Sequence, residues 1–128
     1  MYSDPITYRP IGVVENEFDQ PGHGAEMREI VSRIVLDSDL MDGLIGLETG
    51  QQLLVLFHFH LSRGFDLLQH PQGDRSRPLR GVFSLRSPRR PNPIGATVVE
   101  LIELKDNVLY VKGLDAINGT PVLDIKPA

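Results

Sequence analysis

Pro88, Pro91 and Pro93 fall within one stretch of six residues, and no continuous helix or central strand can run through them. Each proline removes a backbone donor and fixes φ near about −65°. The segment Arg86-Ser87-Pro88-Arg89-Arg90-Pro91-Asn92-Pro93-Ile94-Gly95 is therefore expected to be a stiff extended turn. Stiffness suits arginines that must meet a ligand, because less entropy is lost on binding. Asn92, between two prolines, reads either as a turn-stabilising side chain or as a contact to a bound molecule. Gly95 either lets the backbone pass close to something or starts the next strand. The punctuation extends further: twelve Gly and ten Pro in 128 residues favour frequent turns over long helices.

Hydrophobic periodicity supplies the rest of the fold. Strands are expected over Thr7–Glu15, Glu29–Leu36, Gln52–Leu61, Leu79–Leu85, Gly95–Leu104, Val108–Val111 and Pro121–Ile125. Residues Asn16–Ala25 read as a loop. Asp37-Ser38-Asp39 resembles a helix cap, followed by a short helix or turn through Leu47. Lys105-Asp106-Asn107 is expected to close a hairpin. Arg63–Pro78 is a long polar loop, and such loops in small domains are more often functional than decorative. About seven short strands with little helix point to a mainly β antiparallel barrel or sandwich in one domain, residues 1–128. No glycine fingerprint lies between a strand and a helix, which argues against a Rossmann nucleotide site.

Composition narrows the environment. The chain has no cysteine, which excludes disulfides and thiolate metal sites. Met1-Tyr2-Ser3-Asp4-Pro5 lacks the layout of a secretory signal, and the longest apolar run, Leu53–Phe57, is too short to span a bilayer. A cytoplasmic location without membrane association is the expectation. Net charge is −4, yet Ser62–Arg90 holds seven Arg (63, 75, 77, 80, 86, 89 and 90) against Asp66 and Asp74. A basic segment on an acidic body suits an anionic or polyanionic partner, and guanidinium forks match phosphate and carboxylate. The competing reading is a solvated arginine-rich loop.

Two further patterns carry chemistry. His58 and His60 alternate on the expected central strand, so their rings share a face. Two imidazoles are too few for a metal site, and nothing selects a third ligand from His23, His70 or a carboxylate. No metal is expected. Around the Asn118-Gly119 turn lie Asp115 and Asp124. The Asp115 carboxylate can accept hydrogen bonds from a ligand, or form an Asx turn.

Taken together, several strings resemble the TsaA-like (YaeB, TrmO) family over nearly the whole chain and in the right order. They are Pro10-Ile11-Gly12-Val13-Val14, Gly43-Leu44-Ile45-Gly46-Leu47-Glu48, Gly81-Val82-Phe83, Arg90-Pro91-Asn92-Pro93-Ile94-Gly95 and Gly119-Thr120-Pro121-Val122-Leu123-Asp124-Ile125-Lys126-Pro127. The resemblance implies a small antiparallel β-barrel with one short helix and long loops. It implies an S-adenosyl-L-methionine-dependent methyltransferase, a homodimer with the cofactor near the subunit boundary, acting on N6 of threonylcarbamoyladenosine at position 37 of tRNA. Carried over, the cofactor contacts fall on Gln20, Pro21, Gly22, His60, Leu61, Arg86, Ala96, Lys112, Gly113, Leu114 and Asp115. Asp115 and His60 are the candidate proton acceptors. Arg75, Arg77, Arg80, Arg89, Arg90 and Asn92 are the candidate RNA contacts.

The chain departs from the family's pattern in places. Asn118 stands where Asp is common, Leu61 where Gln often follows the histidine, Phe18-Asp19 where an Arg often lies, and Ala128 where Tyr follows Lys-Pro. Longer members carry a C-terminal extension beyond the position of Ala128. Two alternatives therefore stay open: a methyltransferase of the same fold for another RNA or a small molecule, and a non-catalytic module that binds the cofactor.

Overall fold

A computed structural model describes residues 3–128; Met1 and Tyr2, which open the expected domain and the segment read for a leader, lie outside the described residues. Six strands close into an antiparallel barrel: β1 (Gly12–Glu15), β2 (Val31–Leu36), β3 (Gln52–His58), β6 (Ile94–Lys105), β7 (Val108–Lys112) and β8 (Pro121–Pro127). Their order around the barrel is β1-β2-β7-β6-β3-β8. Two short strands, β4 (Leu68–Gln69) and β5 (Arg80–Gly81), pair separately. One six-residue helix, α1 (Gly24–Glu29), precedes β2. Among the described residues no helix is long and apolar enough to cross a membrane.

Alternation explains closure. Leu53, Val55 and Phe57 of β3 are buried while their neighbours are not, and Leu109 and Val111 of β7 do the same. Facing inward with Val14, Ile34, Leu36, Val99, Leu101 and Val122, they form one core. Gly95 has a packing reason. It pairs with Phe57 across the β3–β6 ladder, and a Cβ there would run into the Phe57 ring. Asp106, at positive φ (53°), and Asn107 make the expected tight β6–β7 hairpin, which Asn107 Nδ2 ties to the Leu36 carbonyl at 2.7 Å.

Four expectations need correction. The first strand begins at Gly12, not Thr7; residues 3–10 are exposed, and Pro10 has no N–H for a ladder. The second strand begins at Val31, because Ala25-Glu26-Met27-Arg28-Glu29 are good helix formers and α1 inserts Met27 into the interior. The central strand ends at His58. Its ladder partner Ile94 is followed backwards by Pro93, which can only accept, and Phe59 N–H donates to the Pro93 carbonyl at 2.8 Å. Leu79–Leu85 keeps only β5 before a 3-10 turn over Val82–Ser84, in which Val82 is the buried anchor. The expected cap at Asp37 is present, accepting from Asp39 N–H at 3.0 Å, but it opens a 3-10 helix over Ser38–Leu44.

This topology sorts the loops. The connections β1–β2, β3–β6 and β7–β8 all leave the same end of the barrel, whereas the β2–β3 connection and the β6–β7 hairpin lie at the other. The residues with candidate chemistry lie on or beside the first three connections.

Candidate functional site

At that end, a cavity of about 520 Å³ opens between α1, the chain after β3, the proline corner and the β7–β8 connection. Its apolar walls include Met27, Phe57, Phe59, Leu61 and Ile117, and its polar groups include His60, Asp115 and Thr120. Phe57 and Phe59 meet edge to face, with ring centroids 5.3 Å apart. A mostly apolar cavity with a few convergent polar groups, within the roughly 300–1,000 Å³ of small-molecule sites, suits an organic ligand of nucleoside size.

The floor is held by a hydrogen-bonded clamp. Asn16 Nδ2 donates to the buried Ser32 Oγ at 3.1 Å and to the Ala116 carbonyl at 2.9 Å, and its Oδ1 accepts from Phe18 N–H at 2.9 Å. Asn16 N–H donates to Asn118 Oδ1 at 3.1 Å, and Asn118 N–H to the Phe18 carbonyl. The loop bearing Gln20-Pro21-Gly22 is thereby pinned to the turn bearing Asp115. Gly119, at φ 86°, completes that turn.

Asp115 is half-buried and doubly engaged. Thr97 Oγ1 donates to its Oδ1 at 2.7 Å, and Arg28 Nη1 of α1 lies 3.3 Å from its Oδ2. The His60 ring has no hydrogen-bond partner among the described residues, although its backbone carbonyl accepts from Arg63 Nη1 at 3.0 Å. No group of three or more His, Cys, Asp or Glu suited to a metal occurs among the described residues.

The cavity unites only part of the expected cofactor set. Pro21, Gly22, His60, Leu61 and Asp115 line it; Gln20 precedes them in the same loop. Leu114 is wholly buried in the core, and Lys112 and Gly113 lie at and just beyond the end of β7. Arg86 and Ala96 stand apart. Arg86 Nη1 donates to the Ala96 carbonyl at 2.8 Å, one residue from Thr97, and Arg86 lines a different concavity. Arg86 and Asp115 thus anchor to consecutive residues of β6 without sharing a cavity.

The expected RNA set also divides. Arg90 Nη1 donates to the Leu85 and Ser87 carbonyls, each at 3.0 Å, and so staples the proline corner. Arg89 pairs with Asp66 at 3.2 Å and donates to the Arg63 carbonyl at 2.7 Å. Arg75, Arg77, Arg80 and Asn92 are exposed. Sequence reasoning did not single out Asn16, Met27, Arg28, Phe59 or Thr97. For Asn16 the available signal was a polar residue ending a strand, which is also what any loop start looks like.

Comparison with known proteins agrees with this geometry. Residues 12–128 match the family described as tRNA-methyltransferase O N-terminal domain. The chain is 43% identical over 126 residues to a probable S-adenosyl-L-methionine-binding protein of Methanothermobacter thermautotrophicus, covering 95% of this chain and 89% of that one. It is 36% identical to the rat tRNA (adenine(37)-N6)-methyltransferase, covering 92% of this chain and 30% of that one. The crystal structure of TrmO from Pseudomonas aeruginosa superposes with a TM-score of 0.71 at 32% identity, over 97% of this chain. The chain spans 56% of the length of that TrmO chain. With the barrel and the match over residues 12–128 in agreement, the chain belongs to the tRNA-methyltransferase O N-terminal domain family.

Proposed function

We propose that this protein is an S-adenosyl-L-methionine-dependent methyltransferase that modifies N6 of threonylcarbamoyladenosine at position 37 of tRNA. The observation that carries this reading is the convergence of Pro21, Gly22, His60, Leu61 and Asp115 on one cavity in a chain of this family. The residues present fit the cofactor. Phe59, Leu61 and Ile117 offer apolar surface for a purine, and Asp115 offers a carboxylate to hydroxyls or to positive charge. When bound, the cofactor supplies a methyl group activated by an adjacent sulfonium.

The chain's own residues have three tasks. The apolar walls exclude water and hold the acceptor in line. Asp115, fixed by Thr97 and Arg28, orients the bound molecule. The acceptor nitrogen loses its proton as it gains the methyl group. Asp115 is held by Thr97 and Arg28 and turned to orienting the bound molecule, so we assign the proton to the His60 ring, which lines the cavity and has no side-chain partner among the described residues.

Arg86 enters this scheme through a second copy. Within one chain it lies outside the cavity, and a homodimer would bring an arginine to the cofactor's carboxylate end. Exposed Phe65, Leu67, Leu68, Leu79 and Phe83, all on the β3–β6 connection, supply an apolar face for that pairing. The test is methyl transfer from labelled cofactor into tRNA with and without the threonylcarbamoyl group. Transfer only into the modified tRNA supports the reading, and transfer into neither defeats it. His60→Ala should lower the single-turnover rate while cofactor binding persists.

A further inference from the structure

Across Pro88 from the first cavity lies a second concavity of about 650 Å³, bounded in part by Gln69, His70, Arg77, Arg80 and Arg86. Among the described residues no Asp or Glu lines it. The arginines of the basic segment differ in what they do. Arg63, Arg86, Arg89 and Arg90 spend guanidinium N–H groups on backbone carbonyls, and Arg89 also on Asp66. Arg77 and Arg80 have no side-chain hydrogen bond or ion pair among the described residues. The nearest acid in sequence, Asp74, has its Oδ1 occupied by the Ser76 hydroxyl at 2.6 Å and the Ser76 N–H at 3.0 Å.

Arg77 and Arg80, the two unpartnered arginines that line this concavity, sit on a braced frame. Arg80 pairs with Gln69 in the β4–β5 ladder, and Gln69 Nε2 donates to the Asp66 and Arg89 carbonyls at 2.7 and 2.6 Å. Arg77 follows a turn closed by Gly73 N–H to the His70 carbonyl at 2.9 Å and Arg77 N–H to the Asp74 carbonyl at 3.1 Å. The His70 Nδ1 contact to the Arg77 carbonyl, 2.7 Å, ties the two ends together. Backbone order of this kind reduces the entropy lost when the side chains engage an anion. Three guanidiniums line this concavity, and those of Arg77 and Arg80, with no carboxylate beside them, repel one another until an anion joins them.

We infer that this concavity binds a backbone phosphate of the RNA acceptor, held by Arg77 and Arg80, next to the nucleotide that enters the first cavity. It rests on the RNA reading above, and the placement follows from Pro88, which lines both spaces. A nucleotide seated on one side of Pro88 carries its flanking phosphate past the other. Guanidinium forks recognise phosphate oxygens in pairs, so charge alone is not sufficient.

The experiment measures binding of an unmodified anticodon stem-loop RNA to the full chain across a salt series. Arg77→Gln with Arg80→Gln is expected to weaken binding at least tenfold and to reduce the slope of log affinity against log salt by about 1 per arginine. Cofactor affinity and the unfolding midpoint should not change. The Arg77→Lys, Arg80→Lys pair should keep most of the slope while losing affinity. Unchanged RNA affinity in the Gln pair overturns the inference. So does inorganic phosphate titrating both guanidiniums while RNA affinity is unaffected, which would mark a small-anion site. If the Gln pair loses RNA binding but the native chain transfers no methyl group to tRNA, this inference stands and the proposed reaction falls.

Discussion

The two spaces flanking Pro88 are of similar size but differ in chemistry. The first, about 520 Å³, is walled by Met27, Phe57, Phe59, Leu61 and Ile117, with the Asp115 carboxylate and the partnered arginines Arg63 and Arg89 also on its lining. The second, about 650 Å³, has Arg77, Arg80 and Arg86 and no carboxylate. One suits a flat, largely apolar ligand, the other an anion. The difference lies in what the arginines are bound to: Arg63 and Arg89 on the first space are tied to backbone carbonyls and, for Arg89, to Asp66, whereas Arg77 and Arg80 on the second have no side-chain partner among the described residues.

Adding an unpartnered cation to the apolar cavity attacks this division most directly. Leu61→Arg sets a guanidinium where positive charge on a ligand is expected, and repulsion of about 2–4 kcal/mol at short range corresponds to roughly a hundredfold loss of cofactor affinity. Calorimetric titration should show that loss, with stem-loop RNA binding retained or improved. Equal damage to both would erase the division. Gly95→Ala drives a Cβ against the Phe57 ring and should cost about 1–3 kcal/mol in denaturant unfolding, since a packed ring cannot retreat freely. Cofactor affinity should fall with it, because Phe57 also lines the first cavity.

Asn16→Ala leaves the buried Ser32 hydroxyl and the Ala116 carbonyl without their shared donor, with an expected cost of about 1–2 kcal/mol. Cofactor binding should weaken while RNA binding at the second concavity does not. The smallest effect belongs to Asp74→Asn, an exposed position whose replacement should leave the unfolding midpoint unchanged. The Ser76 hydroxyl, and then its N–H, hold the Asp74 carboxyl below its usual range. A depressed value in the fold means that its contribution is present above the unfolded-state value and disappears as pH falls through the folded one. Amide exchange at Ser76 should rise in acid in the native chain and lose that acid step in the variant.

Much of the barrel was legible because its core strands alternate. Leu53, Val55 and Phe57 announce β3, and Asp106-Asn107 and Asn118-Gly119 announce their turns. The helix α1 was not legible, since six residues with one buried Met27 carry no period. The end of β3 depended on Pro93 lying opposite the continuing strand, a pairing that only the register reveals. Within the candidate site, the family resemblance implied Pro21, Gly22, His60, Leu61 and Asp115 among its cofactor contacts. It did not distinguish Arg77 and Arg80, which are free, from Arg89 and Arg90, which staple backbone. Seven arginines look alike in a sequence, and their roles separate only when their partners are known.

The central claim is that the apolar side of Pro88 is the cofactor site. A crystal structure of the chain with S-adenosylhomocysteine tests it most directly. The account predicts density for the adenine against Phe59 and Ile117, with Asp115 within hydrogen-bonding distance of the ligand. Density confined to the arginine-lined side, with the first cavity filled only by water, would contradict it.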